Sequence, residues 1–279
     1  MFFVLSVVNP AFCFLHIAVP RPRRQTAGQA GDRVAKTKRS PKQSLAKYRE
    51  KRDFSKSPEP TGAKTKPKRA KAKKSLMFCV QKHLASHLHY DFRLEHNGVL
   101  LSWAVPKGPS LNPSDKRLAM RVEDHPYDYG DFEGVIPEGY GAGIVMLWDR
   151  GTWTPESGEV DAALAKGDFK FTLKGIKLKG SWALVRTRDE RTWLLIKHRD
   201  EWAGEIDVTQ EFPLSVKSDG DFDDILAQEN PDIWESHRPA QGGAAGKLFQ
   251  QIIEKAVKKK LGRAKKKRGS SNRKTTGKR

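Results

Sequence analysis

Only two cysteines, Cys13 and Cys79, occur in the 279 residues, and they form no CxxC pair. That excludes a disulfide framework and a thiolate zinc site, and it suits a reducing cytosol. No internal repeat is evident. Acidic residues are nearly missing from both ends: residues 1–75 hold 4 Asp/Glu against 20 Lys/Arg, and residues 238–279 hold 1 against 15. Apolar residues are scarce in KTKPKRAKAKK (64–74) and KKKLGRAKKKRGSSNRKTTGKR (258–279), so these arms cannot build a core. They read as solubilising tails or as non-specific nucleic-acid tethers, the tether being the weightier reading. The one long apolar run, at residues 1–20, lacks a positive region ahead of it and is interrupted by Pro10. A signal peptide or anchor is one reading; the missing leading charge favours an over-extended start, and residues 1–41 are expected to be an extension outside the fold.

What remains is an acidic, aromatic middle. Residues 76–237 carry 18 Lys/Arg against 28 Asp/Glu and all seven tryptophans. The three segments, at +16, −10 and +14, make up the net charge of +20. A domain with ten excess negative charges does not grip phosphates with its whole surface; it needs a metal ion, a local cluster of cations, or the arms.

Residues 42–53 favour a helix, and FSKSPEPTG then breaks it; residues 42–75 form an N-terminal segment plus basic linker. Short apolar or alternating runs follow at 76–81, 89–95, 99–105, 117–123, 144–149, 169–173, 181–187 and 192–198. Hairpin turns are expected at Asn97-Gly98 and at residues 188–191, and one helix at 158–166. The expected fold class is mainly β: a single β-barrel over 76–212 with short helices, flanked by basic low-complexity arms. Residues 213–246 read as an acidic linker with a short helix. Residues 247–279 read as a basic amphipathic helix and tail.

Within KHLASHLHYDFRLEH (82–96), alternation along a strand puts His89, Asp91, Arg93 and Glu95 on one face and Tyr90, Phe92 and Leu94 on the core face. His83 precedes the strand and can fold back to complete a His-His-Asp set. Imidazole and carboxylate suit Mn²⁺, Fe²⁺ or Zn²⁺, so ligand type alone does not identify the ion. A solvated HxD is the commoner fate of such a pair, but the extra histidine, the arginine and the acidic surroundings count against it. His87 and His96 fit neither face and read as ordinary polar residues. A second patch, RVEDHPYDYGDFEG (121–134), displays His125 and Tyr129 on a loop. Lys217-Ser218-Asp219-Gly220 spells the KxDG of nucleotidyl transferases; the 59 residues after it are too few for a ligase domain, and it is rejected as a nucleophile motif.

Taken together, LAKYREKRDFSKSPEP, QKHxAxxLHYDFRLE, SWAVPKGPS, DKRLAxxVEDHPxDYxDFEGVIPEG and GxGxxxxWDRG resemble the 3′-phosphoesterase domain of bacterial DNA ligase D over about residues 45–210. The resemblance implies a stand-alone form of a metal-dependent hydrolase on a β-barrel. That family removes a 3′-terminal ribonucleoside and then the 3′-phosphate, leaving a 3′-hydroxyl for ligation in non-homologous end joining. His83, His89 and Asp91 match its metal ligands, with Mn²⁺ the usual ion and Co²⁺ or Zn²⁺ as others. Arg93 matches a phosphate-binding arginine and His125 the histidine at the scissile phosphate, a candidate proton donor or transition-state stabiliser. Tyr129 matches a neighbouring contact. Arg52, Asp53 and Glu59 match functional positions in an N-terminal segment that must fold back to the site. Lys107, Arg117 and Glu123 match either direct contacts or structural ion pairs. The implied partners are DNA or RNA/DNA primer-template 3′ ends, a DNA ligase and a Ku-type end-binding protein. The implied state is a monomer in the bacterial cytoplasm, associated with the nucleoid and not with a membrane. One departure stands out: EGVIPEGYGAG is one residue shorter than the usual run.

Two other classes compete. His89-Tyr90-Asp91 with His125 spells the HxD…H of non-haem Fe(II) oxygenases, although the gap is short and no co-substrate clamp is evident. A catalytically silent barrel whose arms bind DNA ends is the non-enzymatic alternative.

Overall fold

The computed structural model describes residues 41–55, 59–62, 76–136, 141–156, 158–228 and 251–262. The apolar start and the basic stretches 63–75 and 263–279 lie outside the described residues. Helices α1 (Pro41–Ser44) and α2 (Ala46–Glu50) come first. Strands β1 (Leu76–Leu84), β2 (Leu88–His96), β3 (Val99–Val105), β4 (Arg117–Arg121) and β5 (His125–Pro126) follow. After a 3₁₀ turn at Tyr127–Asp131 come β6 (Gly134–Ile136), β7 (Gly143–Pro155) and α3 (Val160–Lys166). The remainder is β8 (Asp168–Gly175), β9 (Lys179–Arg186), β10 (Thr192–Lys197), α4 (Val208–Glu211) and α5 (Phe222–Leu226).

Eight strands form a closed antiparallel barrel in the order β1-β2-β3-β4-β10-β9-β8-β7, with β7 pairing back onto β1. The expected mainly-β barrel is therefore the fold. Its interior is packed. Phe92 on β2 lies 5.8 Å from Phe171 on β8 across the ring, and Trp103 on β3 lies 6.0 Å from Trp193 on β10. Burying rings of this size supplies roughly 1.5–3 kcal/mol apiece. Closure removes the free edges of the eight strands.

Turn chemistry sets the registers. Asn97 (φ 50°) and Gly98 (φ 84°) both occupy the left-handed region that a two-residue hairpin demands. Asp189 closes the β9–β10 turn by accepting from Arg191 N, Thr192 N and Thr192 Oγ1. The buried Asp149 holds the β8–β9 turn, accepting from the backbone N–H groups of Ile176, Lys177 and Leu178.

Strand β7 runs 13 residues, well past the expected 144–149. It can do so because β1 pairs with it along most of its length while β6 and β8 share its other edge. Residues 213–228, inside the stretch read as an acidic linker, pack on the barrel, with Phe222 and Ile225 in the core. The KxDG sequence is part of a turn in which Ser215 N donates to the Gly220 carbonyl and Lys217 Nζ donates to that of Asp131. Residues 251–262 are helical; Ile252 and Ala256 are buried, and Lys259 Nζ bridges Asp223 and Asp224 at 2.7 and 2.8 Å.

One difference from expectation positions the site. The His89/Asp91/Arg93/Glu95 face is the outer wall of the barrel, yet Asp91, Arg93 and Glu95 are buried. Residues 45–55, 59–62 and 122–136 lie over it. Tyr48 donates to the Pro60 carbonyl and meets His125 edge-on at 5.0 Å, while Gln81 donates to the carbonyls of Tyr129 and Phe132.

Candidate active site on the outer wall of the barrel

The β1–β2 hairpin pairs His83 directly with His89 and Gln81 with Asp91. Side chains on one face of paired strands lie side by side. The ligand atoms of His83, His89 and Asp91 all fall within 4.8 Å of one another.

Each imidazole is anchored from behind. His83 Nε2 lies 2.9 Å from the Gly141 carbonyl, and His89 Nδ1 lies 3.0 Å from the His87 carbonyl. A carbonyl only accepts, so those nitrogens carry the protons. The lone pairs then sit on His83 Nδ1 and His89 Nε2, which face Asp91 at 3.5 and 3.7 Å. Burial lowers the His89 pKa and keeps its ring neutral, despite the opposing pull of Asp91. Burial alone would raise the Asp91 carboxyl, but Arg93, which donates Nη2 to it, outweighs burial and holds the group well below the usual carboxylate range. Two imidazole lone pairs facing an ionised carboxylate repel one another unless a cation joins them. The N,N,O donor set, with each histidine's other nitrogen on a carbonyl, therefore fits a divalent metal ion.

Two guanidinium groups stand beside this cluster. Arg93 is buried; its Nε donates to Gln81 Oε1 at 2.8 Å, Nη1 to Ser102 Oγ at 2.8 Å and Nη2 to Asp91 Oδ2 at 3.0 Å. It lies 4.9 Å from the Tyr129 ring centre. Arg52 comes from the N-terminal segment and stacks 4.0 Å over Tyr48. It donates to Glu59 Oε1, the Tyr48 carbonyl and Glu123 Oε1. His125 Nδ1 donates to the Glu123 carbonyl at 2.9 Å, so its Nε2 accepts from Arg52 Nη2 at 3.2 Å. Burial, then Arg93 and Arg52, pushes the His125 pKa well below its ordinary 6.5. The ring is neutral, and both nitrogens are engaged.

A cavity of about 400 Å³ gathers these groups. Of the residues singled out from sequence, His83, His89, Asp91, Arg93, Arg52, His125, Tyr129 and Glu123 line it, and Glu59 stands behind Arg52. Three others lie outside the lining. Asp53 is exposed and accepts from Ser55 N and Oγ, Lys107 is exposed on the turn after β3, and Arg117 pairs with Asp115 at 2.9 Å. His96 bonds Asp161 and stays apart, but His87 contributes its carbonyl. The HxD…H order does not assemble a triad: His83, not His125, joins His89 and Asp91.

Sequence reasoning missed Gln81 and Ser102, both buried and both bonded to Arg93. Alternation could have found Gln81, which sits two residues before His83 on β1 as Arg93 sits two after Asp91 on β2.

The family model of the DNA ligase D 3′-phosphoesterase domain matches residues 81–186. The Pseudomonas aeruginosa protein named multifunctional non-homologous end joining protein LigD is 49% identical over 209 residues, covering 72% of this chain and 24% of that protein. A Mycobacterium bovis protein of the same name is 46% identical over 151 residues, 54% of this chain and 19% of its own length. One from Mycolicibacterium smegmatis is 42% identical over 163 residues, 56% of this chain and 21% of its own. The chain thus spans a quarter or less of the length of these relatives.

Proposed function

The chain belongs to the DNA ligase D 3′-phosphoesterase domain family, and from that premise we propose that it trims 3′ ends of DNA during bacterial non-homologous end joining. The substrate is a 3′-terminal ribonucleoside or 3′-phosphate, and the product is a 3′-hydroxyl ready for ligation. The observation that carries this reading is the convergence of two imidazole lone pairs, a carboxylate and two buried guanidinium groups on one small cavity.

His83 through Nδ1, His89 through Nε2 and Asp91 would hold a divalent ion, Mn²⁺ first and Co²⁺ or Zn²⁺ as alternatives. When bound, the ion supplies Lewis-acid polarisation of a phosphoryl oxygen. Arg93 is fixed on three sides by Gln81, Ser102 and Asp91, which leaves two of its five N–H groups to meet phosphate oxygens without reorganisation. Arg52, which lines the same cavity, meets the same phosphate. His125 holds Arg52 in place through Nε2 and acts on the transition state through that guanidinium rather than as a proton donor. Glu59 and Glu123 set the tilt of Arg52.

The acidic barrel draws on the basic arms for long-range attraction to DNA, and a ligase and a Ku-type end-binding protein are its partners on the end. Among the described residues no helix is long and apolar enough to cross a membrane. A 5′-labelled primer-template bearing a single 3′-ribonucleotide tests the reading directly. With Mn²⁺ the primer should shorten by a nucleoside and then lose its phosphate; no change under any divalent ion would leave only a DNA-end-binding accessory role. Turnover without oxygen separates the reading from an oxygenase.

A further inference from the structure

A second cavity, of about 700 Å³, opens beside the first and shares its Val122–Glu123 wall. Four cations line it: Lys47, Lys51, Arg121 and Arg191, with Glu50 and Glu190 between them. Arg121 is committed elsewhere, donating to Asp124 Oδ1 at 2.6 Å and to the Ser102 carbonyl while stacking 4.7 Å over Trp103. The wall itself is neutralised, because Glu123 binds Arg52 with Oε1 on one side and Lys51 with Oε2 on the other. Lys47 and Arg191 are exposed and have no carboxylate partner among the described residues. Among the described residues the lining holds no aromatic ring and one aliphatic side chain, Val122. It therefore has no platform for stacking a base and no apolar floor for a lipid or peptide side chain. What it offers is a wet, cationic track leading to the wall of the active cavity, and such a track suits phosphates read without regard to sequence.

We infer that this groove carries the sugar–phosphate backbone of the strand that leads to the 3′ end, with Lys47 and Arg191 each contacting a phosphate upstream of the scissile one. The inference rests on the phosphoesterase reading, since that reading places the 3′ end in the smaller cavity. It adds a subsite for the nucleotides that remain after cleavage, formed jointly by the N-terminal segment and the β9–β10 turn.

The test is binding and turnover with the full chain and the double variant Lys47→Ala/Arg191→Ala. Both residues are exposed and outside the active cavity, so the fold should be retained. Binding is measured in EDTA on a primer-template whose short single-stranded 3′ tail ends in a 3′-hydroxyl, which the enzyme cannot process. Two lost phosphate contacts should lower the log–log salt slope by about 1.4. A methylphosphonate at the first or second phosphate upstream should weaken binding to the parent chain and add nothing further in the double variant. Glu190→Gln, which removes a carboxylate from the groove, should tighten binding. In turnover, KM on the primer-template should rise while hydrolysis of bis(p-nitrophenyl) phosphate stays unchanged. An unaltered salt slope, or methylphosphonate and double-variant effects that simply add, would overturn the inference. A parent chain that binds as described but cleaves nothing would refute the phosphoesterase reading and leave the backbone groove standing.

Discussion

Gln81→Met is the most discriminating single change in this protein. The side chain is fully buried, accepts from Arg93 Nε at 2.8 Å and donates to the carbonyls of Tyr129 and Phe132 at 2.9 Å each. Methionine keeps the volume, so the cavity cost is small. The polar cost is not. Tyr129 O retains a second donor, Phe132 N, so the groups left unsatisfied are chiefly Arg93 Nε–H and the Phe132 carbonyl. At about 1–3 kcal/mol for each such group, the variant should lose about 3 kcal/mol. That is survivable within a typical stability of about 5–15 kcal/mol. With a urea m-value of about 2 kcal/mol/M the midpoint should fall by about 1.5 M. Arg93, released on one edge, should drift from its phosphate-facing pose, and a shift of about 1 Å can cost about 10²-fold in kcat. Gln81→Glu separates the two effects, because it restores the acceptor for Arg93 but not the donors to the loop. It should recover kcat more than stability. A Gln81→Met protein with its midpoint within 0.5 M and its rate within about twofold of the parent would refute this account of how the site is held.

Asp91→Ala should abolish Mn²⁺ binding measured by calorimetry and reduce 3′-end trimming by more than the about 10²–10⁴-fold commonly ascribed to a general acid; near-normal metal-dependent trimming would remove Asp91 from the site. His125 is neutral in the fold with its pKa depressed, so its contribution to stability is present above its ordinary 6.5 and is lost as pH falls from there toward the folded value. His125→Gln should flatten that acid limb in urea titrations run between pH 7 and 5. Burial pushes the Cys79 thiol up to about 12. In a Cys13→Ser background it should resist Ellman's reagent at pH 8 and react once guanidinium unfolds the barrel.

The barrel was legible because its eight closing strands each carry several residues of alternation or continuous apolarity between turn residues. Strands β5 and β6, at two and three residues, are too short to show any period. The His-His-Asp cluster was legible for a related reason, since a hairpin turns proximity in sequence into proximity in space. The burial of that face was not. It depends on Tyr48, Arg52 and Tyr129 arriving from segments 30 or more residues away in the chain, and a strand's own pattern contains no record of what will cover it. Asp53, Lys107 and Arg117 show the converse: motif position selected them, but local turn and ion-pair geometry keeps them out of the lining. Ser102 lay in an apolar strand, where one hydroxyl looks unremarkable until a buried guanidinium faces it.

Both candidate metal-binding histidines lean on main-chain oxygens, those of His87 and Gly141, rather than on side chains. Their support is thus written in the path of the backbone and not in the identity of any residue. Point substitutions at 87 should be nearly silent in metal affinity as long as the hairpin keeps its course, and no alignment column would mark either position as a ligand's partner. The mutations to which this site is exposed are of another kind: insertions and deletions in the loops that carry those two oxygens. A single-residue change in the length of either loop would turn an imidazole from its present direction without altering one functional side chain.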